Sequence, residues 1–119
     1  MNSRDLLLVF TILYFPAFAG EADVLDVAVS CSSDSTCRFD VTVRHEDEGW
    51  KHYANKWDIV SPEGEILATR KLLHPHDDEQ PFTRSLGDVR IPSGVSEVIV
   101  RAHDLVHGYG GKEYRVKLH

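Results

Sequence analysis

Two stretches, "VLDVAVSC" at 24–31 and "CRFDVTVR" at 37–44, constrain this chain more than any other feature of it. Each alternates apolar and polar residues with a period of two, the pattern of a half-buried β-strand. In the first, Leu25, Val27, Val29 and Cys31 oppose Asp26, Ala28 and Ser30. In the second, Cys37, Phe39, Val41 and Val43 oppose Arg38, Asp40, Thr42 and Arg44. Cys31 and Cys37 therefore fall on the inward parity of consecutive strands, at a spacing that suits a disulfide across the end of a hairpin. They are the two cysteines of the chain, so no second thiolate pair exists to complete a zinc site with them.

Five further segments read as strands. In "YANKWDIV", Tyr53, Asn55, Trp57 and Ile59 share a face. "SPEGE" is a turn, in which Pro62 fixes φ and Gly64 is free to take a positive one. "EILATRKLL" alternates poorly and suits a sheet edge. "FTRSLGDV", "SEVIVRAH" and "EYRVKL" follow, separated by "RIPSGV" and the glycine-rich "HGYGGK". Val98, Val100 and Ala102 point inward in the sixth strand, and Tyr114, Val116 and Leu118 in the seventh. No long segment carries helical periodicity. Seven short strands with a turn signal about every 8–12 residues predict an all-β, seven-stranded antiparallel β-sandwich, immunoglobulin- or fibronectin-III-like, with a small closed barrel as the alternative. Trp57 would sit near its core. The cysteine pair joins neighbouring strands and not the two sheets, so the likeness to antibody domains is one of architecture.

The first nineteen residues read differently. Arg4 precedes an apolar run from Leu6 to Phe15, and Ala17 and Ala19 occupy the −3 and −1 positions of a cleavage site. This predicts a secretory signal over 1–19, too short for a membrane span, and a single mature domain over 20–119. Export favours the disulfide and predicts a soluble protein. The formal charge of −6 argues against a nucleic-acid partner and against electrostatic attachment to anionic lipid.

The strand order adds information about the loops. If consecutive strands run antiparallel, "SSDST", "SPEGE" and "DVRIPSG" lie at one pole of the sandwich. "HEDEGWKH", "HPHDDEQP" and "HDLVHGYGG" lie at the other. His45, His52, His74, His76, His103 and His107 all fall at this second pole, leaving only His119 of the seven histidines elsewhere. Carboxylates and aromatic residues accompany them. Neutral imidazole and carboxylate suit a divalent transition metal such as Zn²⁺, Cu²⁺ or Ni²⁺. His74 and His76 share a face if extended, and His103 and His107 bracket a turn. These four are the first-choice ligands, with His52 the best addition. Asp77, Asp104 and His45 are supporting or alternative ligands. A different reading takes Trp50, Tyr53 and Tyr109 as anchors for a protein or small-molecule partner. A third treats the pole as solvated, capped turns.

Oxidised cysteines exclude a blue-copper site, and the acids do not follow EF-hand spacing. There is no G-x-S-x-G elbow, HExxH or phosphate loop, and no spacing singles out Ser85 as a nucleophile, so the chain reads as a non-enzyme. Four stretches, W-x-H-Y at 50–53, L-H-P-H at 73–76, E-Q-P-F-T-R at 79–84 and R-A-H-D-x-V-H-G at 101–108, resemble a family of small secreted proteins of Gram-negative bacteria. The resemblance covers most of the mature domain. It implies a periplasmic address and carries no mechanism.

Overall fold

The computed structural model describes residues 20–118; the expected signal segment and His119 lie outside the described residues. The seven strands are β1 (Asp23–Cys31), β2 (Thr36–Arg44), β3 (Ala54–Val60), β4 (Ile66–Lys71), β5 (Phe82–Arg90), β6 (Glu97–Asp104) and β7 (Tyr114–Lys117). They form a three-stranded sheet, β1-β2-β5, and a four-stranded sheet, β4-β3-β6-β7, with every pairing antiparallel. This is the expected β-sandwich. In the constant-type immunoglobulin order the fourth strand joins the first sheet. Here β4 pairs with β3, which leaves it at an edge as its weak alternation suggests.

The core is built from the inward rows of both sheets. Phe39, Val41 and Val43 of β2 meet Trp57 and Ile59 of β3 and Val98 and Val100 of β6, all fully buried. Cys31 faces Cys37 in the β1–β2 register and the two form a disulfide.

Two faces differ from the simple alternation. The β1 register shifts between Val24 and Asp26, so Val24 enters the core while Leu25 is half-buried. A second shift between Ala54 and Lys56 buries Ala54 and turns Tyr53 and Asn55 out of the inward row. Each is a β-bulge, where an extra residue resets the side-chain parity. Both lie at the histidine-bearing end of the sandwich, a common place for bulges because they re-aim chain entering a site.

Asp23 pairs with Arg44, Val43 with Phe82 and Ala54 with Asp104, which places the β2–β3, β4–β5 and β6–β7 loops at that end. The inward row of β2 does not stop at Val43 but continues into His45, which is 1% exposed. The inward row of β6 continues from Ala102 into Asp104, which is fully buried. Two polar residues thus occupy positions that the pleat assigns to the core.

Candidate metal centre

A buried polar side chain is costly unless its hydrogen-bonding groups are met. His45 meets that demand with Asp47, two residues on. Its Nδ1 donates to Asp47 Oδ1 at 2.5 Å, and its Nε2 lies 2.7 Å from the carbonyl oxygen of Gly20. Asp47 is itself buried and satisfied. It accepts from the backbone N–H of Ala54 at 3.0 Å and of His76 at 2.6 Å, tying the β2–β3 loop to the start of β3 and to the β4–β5 loop. Gln80 makes a second tie. Its Oε1 accepts from His45 N–H and its Nε2 donates to the carbonyl of His76, each at 2.9 Å.

Asp104 ends β6 and opens the following loop. Its Oδ1 accepts the backbone N–H groups of Val106 at 2.8 Å and His107 at 2.7 Å, an Asx-type turn. His107 Nδ1 lies 3.2 Å from the same oxygen. Asp104 Oδ2 is buried without a hydrogen-bond partner and faces His45 Nε2 at 3.7 Å. His52 approaches from the β2–β3 loop, with Nε2 3.4 Å from Asp104 Oδ1 and 3.2 Å from the Gly20 carbonyl oxygen. Its Nδ1 is held by Glu48 at 2.9 Å.

His45, His52 and Asp104 each offer a ligand atom, and those atoms lie within 4.8 Å of one another. In a tetrahedral zinc site with bonds near 2.0–2.1 Å, ligand atoms sit roughly 3.3 Å apart; His52 Nε2 lies 3.4 Å from Asp104 Oδ1, and His45 Nε2 lies 3.7 Å from the other oxygen, Oδ2. The Nδ1 atoms of both imidazoles point at carboxylates, which leaves Nε2 toward the common point. That is the carboxylate–histidine arrangement found behind metal-bound imidazoles. The donor set is N₂O with one orphaned carboxylate oxygen, suited to a borderline divalent cation. These three side chains are close enough to hold a metal ion.

The charge state is set by the same geometry. A carboxylate on Nδ1 and a carbonyl on Nε2 are both acceptors, an environment that favours the doubly protonated imidazolium of His45. Burial pulls its pKa down; the hydrogen bonds to Asp47 and Gly20 and the charges of Asp47 and Asp104 more than offset this, and the net shift is upward. Burial pushes Asp47 up, but hydrogen bonds from His45, His76 and Ala54 reverse it and hold the carboxyl below its ordinary range.

The structure brings together only part of the set anticipated from the sequence. His52 stands at the centre, and His45 and Asp104 move from supporting positions to the middle of it. His107 touches Asp104 Oδ1 but, among the described residues, is not one of the three convergent ligands. His74 is exposed, with Nδ1 3.0 Å from the carbonyl of Pro75. His76 is buried and stacks on Phe82 at 3.9 Å between centroids, both ring nitrogens without partners. Desolvation, aided by Arg84 and His74, holds its pKa below the ordinary value. His103 points to the outer face of the four-stranded sheet, where it contacts Asn55 at 2.7 Å and the Tyr109 ring. Burial, then the nearby Lys56, lowers its pKa. Among the described residues, His74, His76 and His103 join no group of three close ligand atoms. Asp77 contacts the backbone N–H of Gly49 from an exposed position.

The aromatic set divides as well. Trp50 is 65% exposed and packs edge-on against Tyr53. Tyr109 is committed elsewhere. Its hydroxyl donates to the buried carboxylate of Asp58 at 2.5 Å, and the Arg101 guanidinium lies 4.1 Å from its ring. Asp47 and Glu48, acids of the histidine-bearing β2–β3 loop, orient the two rings, whereas nothing in the sequence singles out Gly20 or Gln80 for the site. A readable signal existed for the central pair, because His45 and Asp104 extend the inward parities of Phe39–Val41–Val43 and Val98–Val100–Ala102.

The chain is 41% identical over 92 residues to a protein of Halomicrobium mukohataei, a halophilic archaeon, which carries the name "Putative lipoprotein". The match covers 77% of this chain and 45% of that relative, so the chain spans less than half of the relative's length. No family model and no solved structure matches. Among the described residues no helix is long and apolar enough to cross a membrane.

Proposed function

We propose that this chain is an extracytoplasmic binding protein that holds one divalent transition metal ion, Zn²⁺, Cu²⁺ or Ni²⁺, at His45, His52 and Asp104. The observation that carries the reading is the orphaned, buried Asp104 Oδ2 beside two imidazoles whose far nitrogens are held by carboxylates. The extracytoplasmic address is supported by the signal-like segment, by the disulfide and by the lipoprotein name of the archaeal relative. A periplasmic location in a Gram-negative bacterium is the finer form of the same reading. The role is binding and not catalysis, since no catalytic motif accompanies the cluster.

Metal entry displaces the Nε2 proton of His45, so uptake releases protons and weakens in acid. The test is Zn²⁺ titration of untagged protein against a competing chelator. One equivalent should bind, and His52→Ala or Asp104→Asn should weaken binding by at least about tenfold. No uptake, or uptake indifferent to both substitutions, refutes the assignment. The rival reading, a protein or small-molecule contact, is favoured by the exposure of Trp50 and Leu73 at the same pole. A partner lost with Trp50→Ala and retained with His52→Ala would select it.

A further inference from the structure

The centre contains a backbone group as well as side chains. The Gly20 carbonyl oxygen lies 2.7 Å from His45 Nε2 and 3.2 Å from His52 Nε2, the two nitrogens that face the metal position. No side chain in the cluster is nearer to both.

Three observations show that this placement is built. Ala22 is 1% exposed and belongs to the core, so the strap that begins at Gly20 is anchored within two residues. The strap is then clasped by the β6–β7 loop, with Val24 N–H donating to the carbonyl of Lys112 at 2.8 Å and Lys112 N–H to Asp23 Oδ1 at 2.7 Å. A Cβ on Gly111 would lie 1.8 Å from the carbonyl oxygen of Ala22, so the two segments are in backbone contact. Gly20 itself has φ +101°, and a Cβ there would approach His107 Cε1 to 2.5 Å. A side chain at position 20 would crowd the His107 ring. A cavity of about 160 Å³ lined by Gly20, Glu46, Glu48, His52 and His107 leaves room beside it, with carboxylates to attract a cation.

Gly20 is also the residue that signal cleavage after Ala19 would make the first. Hydrolysis of that amide by a processing peptidase adds water across the bond, giving an Ala19 carboxylate and a free Gly20 amine. The amine and carbonyl of a terminal glycine can close a five-membered chelate ring on a divalent metal. A residue's own nitrogen and carbonyl oxygen are never more than roughly 3.7 Å apart, because three short bonds join them.

We propose that Gly20 completes the metal centre, its carbonyl oxygen and its processing-generated α-amine chelating the ion that His45, His52 and Asp104 hold. The inference rests on the metal reading above. It makes export and metal loading sequential, because a chain still joined to Ala19 has an amide nitrogen where the mature chain has a basic amine.

The experiment compares three folded preparations, matched by circular dichroism: the chain beginning at Gly20, the same chain acetylated at Gly20, and one that retains Ala17–Ala19. Cu²⁺ and Zn²⁺ affinities are measured by chelator competition. Electron paramagnetic resonance of the Cu²⁺ forms, with and without ¹⁵N in Gly20, reports the nitrogen ligands. The free-amine chain should bind at least about tenfold more tightly than the other two, the loss typical of removing a supporting group at a metal centre. Its spectrum alone should change on ¹⁵N labelling. Equal affinities with no isotope effect overturn the role of Gly20, while a continued requirement for His52 would leave the three-residue site standing. Absence of binding in all three preparations overturns both.

Discussion

The two poles of this sandwich are closed by opposite means. At one, short turns and the Cys31–Cys37 disulfide join β1 to β2, and Ile91 N–H donates to the carbonyl of Ser35 across the end. At the other, three longer loops and the N-terminal strap meet around a buried polar cluster of His45, Asp47, His52 and Asp104. Covalent closure needs no specific charge and leaves little to exchange. A polar closure depends on every buried donor and acceptor finding its partner, and here the acceptor Asp104 Oδ2 finds no donor. The difference leaves an unpartnered carboxylate oxygen at the histidine pole, on which the proposed metal site rests.

Removing Asp47 should break the comparison most severely. Its carboxylate holds His45, Ala54 and His76 at once. Asp47→Ala should cost about 3–5 kcal/mol, the usual loss when one partner of a buried charged pair is deleted. Urea unfolding measures it, and a loss below about 1 kcal/mol would mean that the loops are held by something else. The disulfide pole should tolerate more. Cys31→Ser with Cys37→Ser should cost about 2 kcal/mol, from the entropy of a short closed loop, and leave Zn²⁺ affinity unchanged. A parallel loss of metal binding would show that the poles are not independent.

A smaller effect concerns pH. His45 has a raised pKa, so its contribution is complete below about pH 6.5 and fades as pH rises through its folded value. Asp47 has a lowered pKa, so its contribution is present above about pH 4 and is lost as pH falls through its folded value. The pair therefore stabilises most between these limits. The stability gap between the native chain and His45→Gln should be widest near pH 5–6 and narrow toward pH 9. A gap that widens on going alkaline contradicts the charge assignment. Metal affinity should run the other way and strengthen with pH over the same range. The smallest effect is expected at His74, where substitution by Ala should change stability by under about 0.5 kcal/mol and leave Zn²⁺ affinity alone. A large change there would return the centre to the β4–β5 loop.

Period-two patterning made the sheets legible, because Phe39, Val41, Val43, Val98 and Val100 leave one way to bury a continuous face. Antiparallel connection then sorted the loops by pole, which located the histidine cluster at the correct end. It could not rank the histidines within it. His74 and His76 look paired in sequence, yet His76 turns inward onto Phe82 while His74 stays in solvent. The bulges at Leu25 and Asn55 were invisible to a pattern that assumes unbroken alternation, and they moved Tyr53 off the inward row. Gly20 was unreadable in a different way. Its contribution is a carbonyl, which every residue has, and only the tertiary path of the strap brings it to His45.

Crystals of the chain grown with Zn²⁺ and measured across the zinc absorption edge test the central claim most directly. One anomalous peak should lie about 2.0–2.2 Å from His45 Nε2, His52 Nε2 and an Asp104 oxygen. A peak on His74 and His76 instead, or none at the histidine pole, would contradict the account.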